Sequence, residues 1–170
     1  FLGVMWALFA ASLALSAWTV SISPDLAFYS PAGRLWELMT GSLLAVGAVP
    51  VLTERLAREL VALGGLLAII GAILLYDDTT PFPGIAALLP CLGTGALIHV
   101  NGSSELTVTG RVLAWPPFVA MGLVSYSLYI WHWPVIVLAQ YTAQRPLHPA
   151  EIVAMLVVIA ILAGAAWYWI

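Results

Sequence analysis

Long hydrophobic stretches separated by short polar segments dominate the pattern along the chain. These stretches do not alternate between apolar and polar residues, as a strand with one solvent-facing side would. Lipid offers no hydrogen-bond partners to the backbone, so a segment that crosses a membrane must be a helix or part of a closed barrel. The continuous runs favour helices. We predict six spans, at residues 1–20, 36–52, 60–76, 85–100, 119–141 and 151–170.

The composition supports a membrane protein. Of the 170 residues, 63% are hydrophobic and 8% are charged, and the mean hydropathy is +1.05. A soluble domain carries about 25% charged residues, so we predict an all-α, polytopic transmembrane helical bundle. Both ends lie inside hydrophobic stretches, and no basic segment precedes the first as in a signal peptide. We therefore expect residues 1–170 to be part of one transmembrane domain, truncated at both ends.

Charge and cysteine content exclude several functional classes. The five basic residues are all arginines scattered among eight acids, which gives a net charge of -3 and no basic patch for nucleic acid. A single cysteine, Cys91, excludes a disulfide framework within the chain. His99, His132 and His148 do not have the spacing of metal ligands. We predict neither nucleic-acid binding nor a metal site.

The loops give a preferred orientation in the membrane. Loops 53–59 and 101–118 carry three arginines, whereas the loops on the other side carry two, and cytoplasmic loops are enriched in basic residues. The three are Arg55, Arg58 and Arg111. We therefore predict that these two loops are cytoplasmic and that the acidic loop 77–84 faces outward. Residues 115–117, Trp-Pro-Pro, are predicted to be a non-helical connector along the cytoplasmic surface.

One polar cluster lies around the start of the second span. Arg34 and Glu37 are three residues apart, so they can pair on one helical face, and Glu37 is expected to be favoured by the helix N-terminus. Two interpretations are open. The pair is an interfacial ion pair with Trp36 as a membrane anchor, or it lines a polar cavity that positions a hydroxyl-bearing or phosphate-bearing substrate.

A second polar cluster lies within the fifth span. Ser125, Tyr129 and His132 share one helical face, and Tyr126 and Trp133 lie on another. Pro134 removes the hydrogen bond to the carbonyl of Ile130 and is expected to kink the helix. His132 is either a structural group hydrogen-bonded to a neighbouring helix or a general base.

A third cluster combines prolines and glycines. It comprises Pro81-Phe82-Pro83-Gly84 followed by Pro90, Gly93 and Gly95. Small residues let helix backbones approach closely. We interpret this cluster as a tight packing surface and assign no catalytic residue to it.

In this order, the three clusters resemble the C-terminal half of the membrane-bound acyltransferase-3 family of bacterial O-acyltransferases. The matching strings are FYSPAGRLWELMTGSLLA at 28–45, TPFPGIAALLPCLGTGALI at 80–98 and LVSYSLYIWHWPVIVLAQY at 123–141. The last string is the most specific, and the resemblance covers essentially the whole sequence.

The resemblance implies a larger bundle in the bacterial inner membrane that transfers an acyl group to a hydroxyl of a cell-surface or lipid-linked glycan. The donor is commonly cytoplasmic acetyl-CoA, used as a co-substrate with no bound cofactor. Acceptors in the family include lipopolysaccharide, peptidoglycan and exopolysaccharide. Some members continue into an extracytoplasmic SGNH-type domain. The family's essential histidine and arginine motifs lie in earlier spans, so no principal catalytic residue is assigned here.

Supporting roles carry over residue by residue. Arg34, Trp36 and Glu37 match the family's RxWEL motif, and its SYSLYxWHWP motif is matched by Ser125, Tyr126, Tyr129, His132, Trp133 and Pro134. Acyl transfer needs a base for the acceptor hydroxyl and donors for the developing oxyanion. We assign hydroxyl positioning to Glu37, and hydrogen-bond donation to Tyr129 or His132.

Two alternatives from other classes remain. Polar residues and Pro/Gly breaks in spans also mark transport pathways, so the chain could be a segment of a transporter for a small polar or lipid-linked substrate. Such a transporter should show matching broken helices in two halves, and the sequence shows no such pairing. The other alternative is a structural membrane scaffold. In a scaffold, the ionisable residues Glu37 and His132 would destabilise the spans without a functional reason.

Overall fold

The computed structural model describes residues 1–77, 79–102 and 105–169. In these residues the elements are α1 (Leu2–Ile22), α2 (Pro24–Tyr29), α3 (Pro31–Ala45), α4 (Arg55–Leu75), α5 (Leu88–Asn101), α6 (Val108–Leu113), α7 (Pro116–Ala143) and α8 (Pro149–Trp169). The predicted all-α fold is confirmed. The chain forms two compact units, Phe1–Val112 and Leu113–Ile170.

Each predicted span corresponds to a helix, but several boundaries differ. Within the described residues, α1, α4, α7 and α8 are long and apolar enough to cross a membrane. The helices at the other two predicted spans, α3 and α5, are shorter, with 15 and 14 residues.

The second predicted span, 36–52, is displaced toward the C-terminus relative to α3. The Ser30 hydroxyl accepts a hydrogen bond from the Gly33 amide at 3.4 Å, and Pro31 occupies the first helical position, a combination that starts helices. After Ala45 the chain turns through Gly47, whose φ of +70° suits glycine. Hydrophobicity continues beyond this turn, which is why the pattern misplaced the boundary.

The predicted connector at residues 115–117 is also corrected. Helix α7 begins at Pro116, with Trp115 in extended conformation before it. Proline fits the first turn because the amide that it lacks would have no partner in the helix there. The helix then runs for 28 residues and includes Pro134.

In the first unit, α4 and α5 pack through two glycines. A Cβ atom built on Gly65 would lie 2.7 Å from the Gly93 carbonyl oxygen, and one built on Gly93 would lie 2.7 Å from the Gly65 carbonyl oxygen. The backbones therefore approach too closely for any side chain at either position. This confirms the packing role predicted for Gly93.

Helices α1 and α3 are joined by a buried hydroxyl. The Ser12 hydroxyl donates to the Ala32 carbonyl oxygen at 2.6 Å and accepts from the Trp36 amide at 3.0 Å. Ala32 lies in the first turn of α3. The bond therefore fixes the start of this helix against α1.

These contacts give the helix directions in the first unit. Phe9 contacts Trp36 and Ser16 lies against Gly33, so α1 and α3 are antiparallel. Gly65 lies against Leu97 and Ile69 against Gly93, so α4 and α5 are also antiparallel. Thr40 contacts Cys91, and Leu44, about one turn later on α3, lies against Gly95, about one turn later on α5, so α3 and α5 run parallel. One end of the unit, the Arg34 end, therefore carries the starts of α3 and α5. The other, the Arg55 end, carries the start of α4 and the end of α5.

The segment that follows α4 at the Arg34 end is held by local hydrogen bonds. The Tyr76 hydroxyl donates to the Ala86 carbonyl oxygen at 2.7 Å. The Asp77 carboxylate accepts from the Thr79 hydroxyl at 2.6 Å and from the Thr79 amide at 2.9 Å. These bonds lower the pKa of Asp77 below its ordinary value. Asp78 lies outside the described residues.

The second unit is a hairpin of α7 and α8, with Ser127, Ile159 and Ala163 buried. Gln144 ends α7 in the left-handed conformation, with a φ of 50°. In the loop, the Arg145 guanidinium contacts the Glu151 carboxylate at 2.7 and 2.9 Å, and this partner raises the pKa of Arg145. The fifth and sixth predicted spans therefore form an antiparallel pair.

Candidate functional site

Glu37, the acidic member of the predicted Arg34–Glu37 pair, lines a cleft between α3 and α5. The cleft has a volume of about 380 Å³. Both helices and the segment before α5 line it, with Glu37, Thr40, Gly41, Leu44, Phe82, Ala87, Pro90, Cys91, Thr94, Gly95 and Ile98. The other lining residues are uncharged and mainly apolar, so the Glu37 carboxylate sets the chemistry of the cleft.

Arg34 and Glu37 pair as predicted. The Nη2 atom of Arg34 lies 2.9 Å from Oε2 of Glu37, and its Nε atom lies 3.2 Å from Oε1. The Arg34 guanidinium also lies over the Phe28 ring, 5.5 Å from the centroid. This forked contact fixes the orientation of the carboxylate.

The expectation that Glu37 benefits from the helix N-terminus is wrong. Because α3 begins at Pro31, Glu37 lies in its second turn, and the first turn contains no acidic residue. The effect of the dipole is confined to about the first turn. Arg34 stabilises the carboxylate instead.

Two hydroxyls and a thiol also line the cleft, and the sequence pattern did not indicate a site at these positions. The Thr40 hydroxyl lies about one turn below Glu37 and donates to the Trp36 carbonyl oxygen at 3.0 Å. The Cys91 thiol lies 3.6 Å from the Thr40 hydroxyl, and Thr94 follows on α5. The spacing of Glu37, Thr40 and Leu44 indicates one helical face, but nothing in the sequence pairs that face with Cys91.

Trp36 occupies the opposite side of α3. It is 0% exposed, and its ring makes an edge contact with Phe9 at 6.0 Å between centroids. This excludes the interfacial-anchor interpretation for Trp36. Among the described residues, neither its indole nitrogen nor the buried Ser16 hydroxyl has a hydrogen-bond partner.

In the second unit, Ser125 and His132 of the second polar cluster contact backbone carbonyl oxygens of their own helix, α7. The Nδ1 atom of His132 lies 2.7 Å from the Tyr129 carbonyl oxygen, and the Tyr129 and His132 rings are 5.7 Å apart. The Ser125 hydroxyl donates to the Gly122 carbonyl oxygen at 2.7 Å. These contacts lie within α7 and involve no neighbouring helix, so the structural interpretation of His132 stays a prediction. The general-base interpretation stays a prediction.

The two aromatic residues on the neighbouring face of α7 are exposed. Tyr126 is 67% exposed and Trp133 is 65% exposed. Ser127, which was not selected from the sequence, is the buried hydroxyl of this helix. The supporting roles of Ser125, Tyr126, Tyr129, His132 and Trp133 stay predictions.

Neither the α3–α5 cleft nor the polar cluster on α7 contains a group of metal ligands among the described residues. In residues 1–77, 79–102 and 105–169, no three histidine, cysteine, aspartate or glutamate side chains lie close enough to hold a metal ion. The chemistry available in the cleft is therefore that of a fixed carboxylate, hydroxyls and a thiol.

In the described part of the chain, four long apolar helices indicate a multi-pass membrane protein, and comparison with known proteins gives its relatives. The chain is 30% identical over 158 residues to a provisionally named membrane-bound transacylase, BcsY, of Komagataeibacter xylinus, covering 93% of this chain and 39% of BcsY. It is 29% identical over 158 residues to a provisionally named peptidoglycan O-acetyltransferase, YrhL, of Bacillus subtilis, covering 86% and 25%.

A third relative is the peptidoglycan O-acetyltransferase OatA of Listeria monocytogenes. The identity is 23% over 122 residues, which cover 68% of this chain and 20% of OatA. No family model matches the chain, and no solved structure matches it.

These relatives confirm the resemblance found in the sequence. The chain is similar to membrane-bound acyltransferases, which is consistent with the acyltransferase-3 resemblance. It spans well under half the length of the relatives that it matches. The relatives favour the acyltransferase interpretation over the transporter alternative.

Proposed function

We propose that this chain forms part of an integral membrane O-acyltransferase that transfers an acyl group, in the simplest case acetyl from acetyl-CoA, to a glycan hydroxyl. The homology to membrane acyltransferases supports this proposal. The structural observation that carries it is the Glu37 carboxylate, fixed by Arg34 at the border of a cleft whose volume of about 380 Å³ admits part of a sugar.

Glu37 has the chemistry to position the acceptor. A carboxylate accepts hydrogen bonds from hydroxyl groups, and bonds to a charged partner are the stronger kind. Arg34 holds the carboxylate through Nε and Nη2, so the acceptor meets a preorganised group. Thr40, about one turn deeper, offers a second polar contact. This role is positioning, and the base that takes the hydroxyl proton lies elsewhere in the proposed enzyme.

The proposed location is the bacterial inner membrane, with the Arg34 end facing outward. The Arg55 end carries Arg55, Arg58 and Arg111, as basic loops on the cytoplasmic side do. In this orientation the glycan reaches the Glu37 cleft from outside and the donor arrives from the cytoplasm. Peptidoglycan is one candidate acceptor, because two of the relatives are named for its O-acetylation.

Glu37→Gln tests this proposal in the complete protein. We expect acetyl incorporation into surface glycan to fall about tenfold or more, because a hydrogen bond to a charged group contributes about 1.5–3 kcal/mol. The Michaelis constant for the acceptor should carry part of the loss, while that for acetyl-CoA stays unchanged. The measurement is the release of labelled acetyl groups from purified glycan.

Glu54→Gln is the matched control. Glu54 is an exposed carboxylate that precedes α4 at the Arg55 end, away from the cleft, so the Glu54→Gln variant should keep the normal Michaelis constant for the acceptor. Normal incorporation by the Glu37→Gln variant at equal membrane abundance would remove Glu37 from the site. Absence of acyl transfer by the unchanged protein would refute the proposed function itself.

A further inference from the structure

Three of the five arginines of the chain line one polar pocket at the Arg55 end. The pocket has a volume of about 330 Å³. Its lining is Arg55, Arg58, Glu59, Glu105, Leu106, Thr107 and Arg111. The arginines come from the start of α4 and from α6, so folding gathers charges that are up to 56 residues apart in the sequence, from Arg55 to Arg111.

Two of these side chains are fixed by the backbone around the end of α5. Arg58 donates through Nη2 to the Val100 carbonyl oxygen at 2.9 Å and also to the Glu105 carbonyl oxygen. The Glu59 carboxylate accepts from the Val108 amide at 2.9 Å. The pocket therefore has a rigid wall built by α4, the end of α5 and the start of α6.

The remaining charges leave the pocket basic. Arg55, Arg111 and Glu105 are exposed, so their side chains can reach a ligand at the mouth. Three guanidinium groups face two carboxylates, and the Glu59 carboxylate is already directed at a backbone amide. Guanidinium groups match phosphate oxygens in a forked geometry and do not lose their charge.

We propose that this pocket binds a multiply charged phosphate group, contacted by Arg55 and Arg111 and supported by the charge of Arg58. We assign the phosphate to the nucleotide end of a coenzyme A thioester, and this assignment rests on the proposed function. The pocket lies at the end of the unit opposite to the Glu37 cleft. Donor and acceptor would thus enter from opposite faces of the membrane.

The test is direct binding to the complete protein in neutral phosphatidylcholine nanodiscs, with no turnover required. Isothermal titration with coenzyme A and with inorganic pyrophosphate compares the unchanged protein with the double variant Arg55→Gln/Arg111→Gln. We expect the dissociation constants for both probes to rise at least tenfold. They should also rise with salt, because the contacts are exposed charges.

Two further variants separate a local effect from a general loss of charge or fold. Arg145→Gln removes an arginine from the α7–α8 loop and should leave both dissociation constants unchanged. Glu105→Gln removes an opposing carboxylate and should tighten pyrophosphate binding about two- to fivefold, the usual size of a surface charge interaction. A tighter complex cannot result from misfolding.

A separate lipid-binding experiment distinguishes two sources of the phosphate, coenzyme A and a phospholipid headgroup. Phosphatidylglycerol retained after purification from mixed micelles is measured for the same variants. If only lipid retention falls in the double variant, the phosphate site stands and the donor assignment is refuted. If coenzyme A, pyrophosphate and lipid all bind the double variant normally, the site is refuted, whether or not the protein proves to be an acyltransferase.

Discussion

Replacing Gly65 by leucine is expected to abolish the packing of α4 against α5, whereas the same replacement at the adjacent Gly64 is expected to be tolerated. A Cβ atom at Gly65 would lie 2.7 Å from the Gly93 carbonyl oxygen, and no atom lies within 4 Å of a Cβ atom at Gly64. The contact at Gly65 is with backbone, which cannot rotate away. Overpacking of this kind costs about 1–3 kcal/mol and occasionally more, and a whole leucine side chain places this variant at the upper end.

The measurement is the apparent melting temperature and the yield of monodisperse protein in detergent, for both variants of the complete protein. Gly64→Leu exchanges a poor helix former for a good one, which favours the helix by up to about 1 kcal/mol. It should therefore melt at or above the temperature of the unchanged protein. Equal melting of the Gly65→Leu and Gly64→Leu variants would contradict the close approach at Gly93.

Hydrophobic pattern predicted the existence of the helices better than their ends. The hydrophobic run predicted at 1–20 corresponds to α1 within two residues at each end, and its C-terminal end is set by Ser23 and Pro24, which follow the helix. The run that contains α3 was misplaced because its start is set by Ser30 and Pro31, and its end by Gly47. These are local capping and turn effects that an average over a window of residues removes.

The site was predictable only where it is local. Arg34 and Glu37 are three residues apart on one helix, so helical geometry alone brings them together. The contact of Cys91 with Thr40, and the gathering of Arg111 with Arg55, depend on which helices pack side by side. A single sequence contains the small residues that permit such packing, as at Gly93 and Gly95, but it does not state which helix each one meets.

Trp36→Ala is expected to give the other large loss of stability, because Trp36 is fully buried between α3 and α1. Removing a buried tryptophan side chain costs about 3–5 kcal/mol. The apparent melting temperature of the complete protein in detergent should fall steeply. Trp18→Ala is the control, since Trp18 lies on α1 but is 63% exposed, and its loss should change the melting temperature little.

Trp36→Phe separates packing from substrate contact. Phenylalanine keeps most of the apolar ring and removes an indole N–H that has no partner among the described residues, so stability should fall by much less than in the alanine variant. If Trp36 acts by packing, acyl transfer by the phenylalanine variant should stay close to normal. If Trp36 instead supports substrate binding, the role carried over from the sequence motif, activity should fall while the melting temperature holds. Equal destabilisation by Trp36→Ala and Trp18→Ala would contradict the buried position of Trp36.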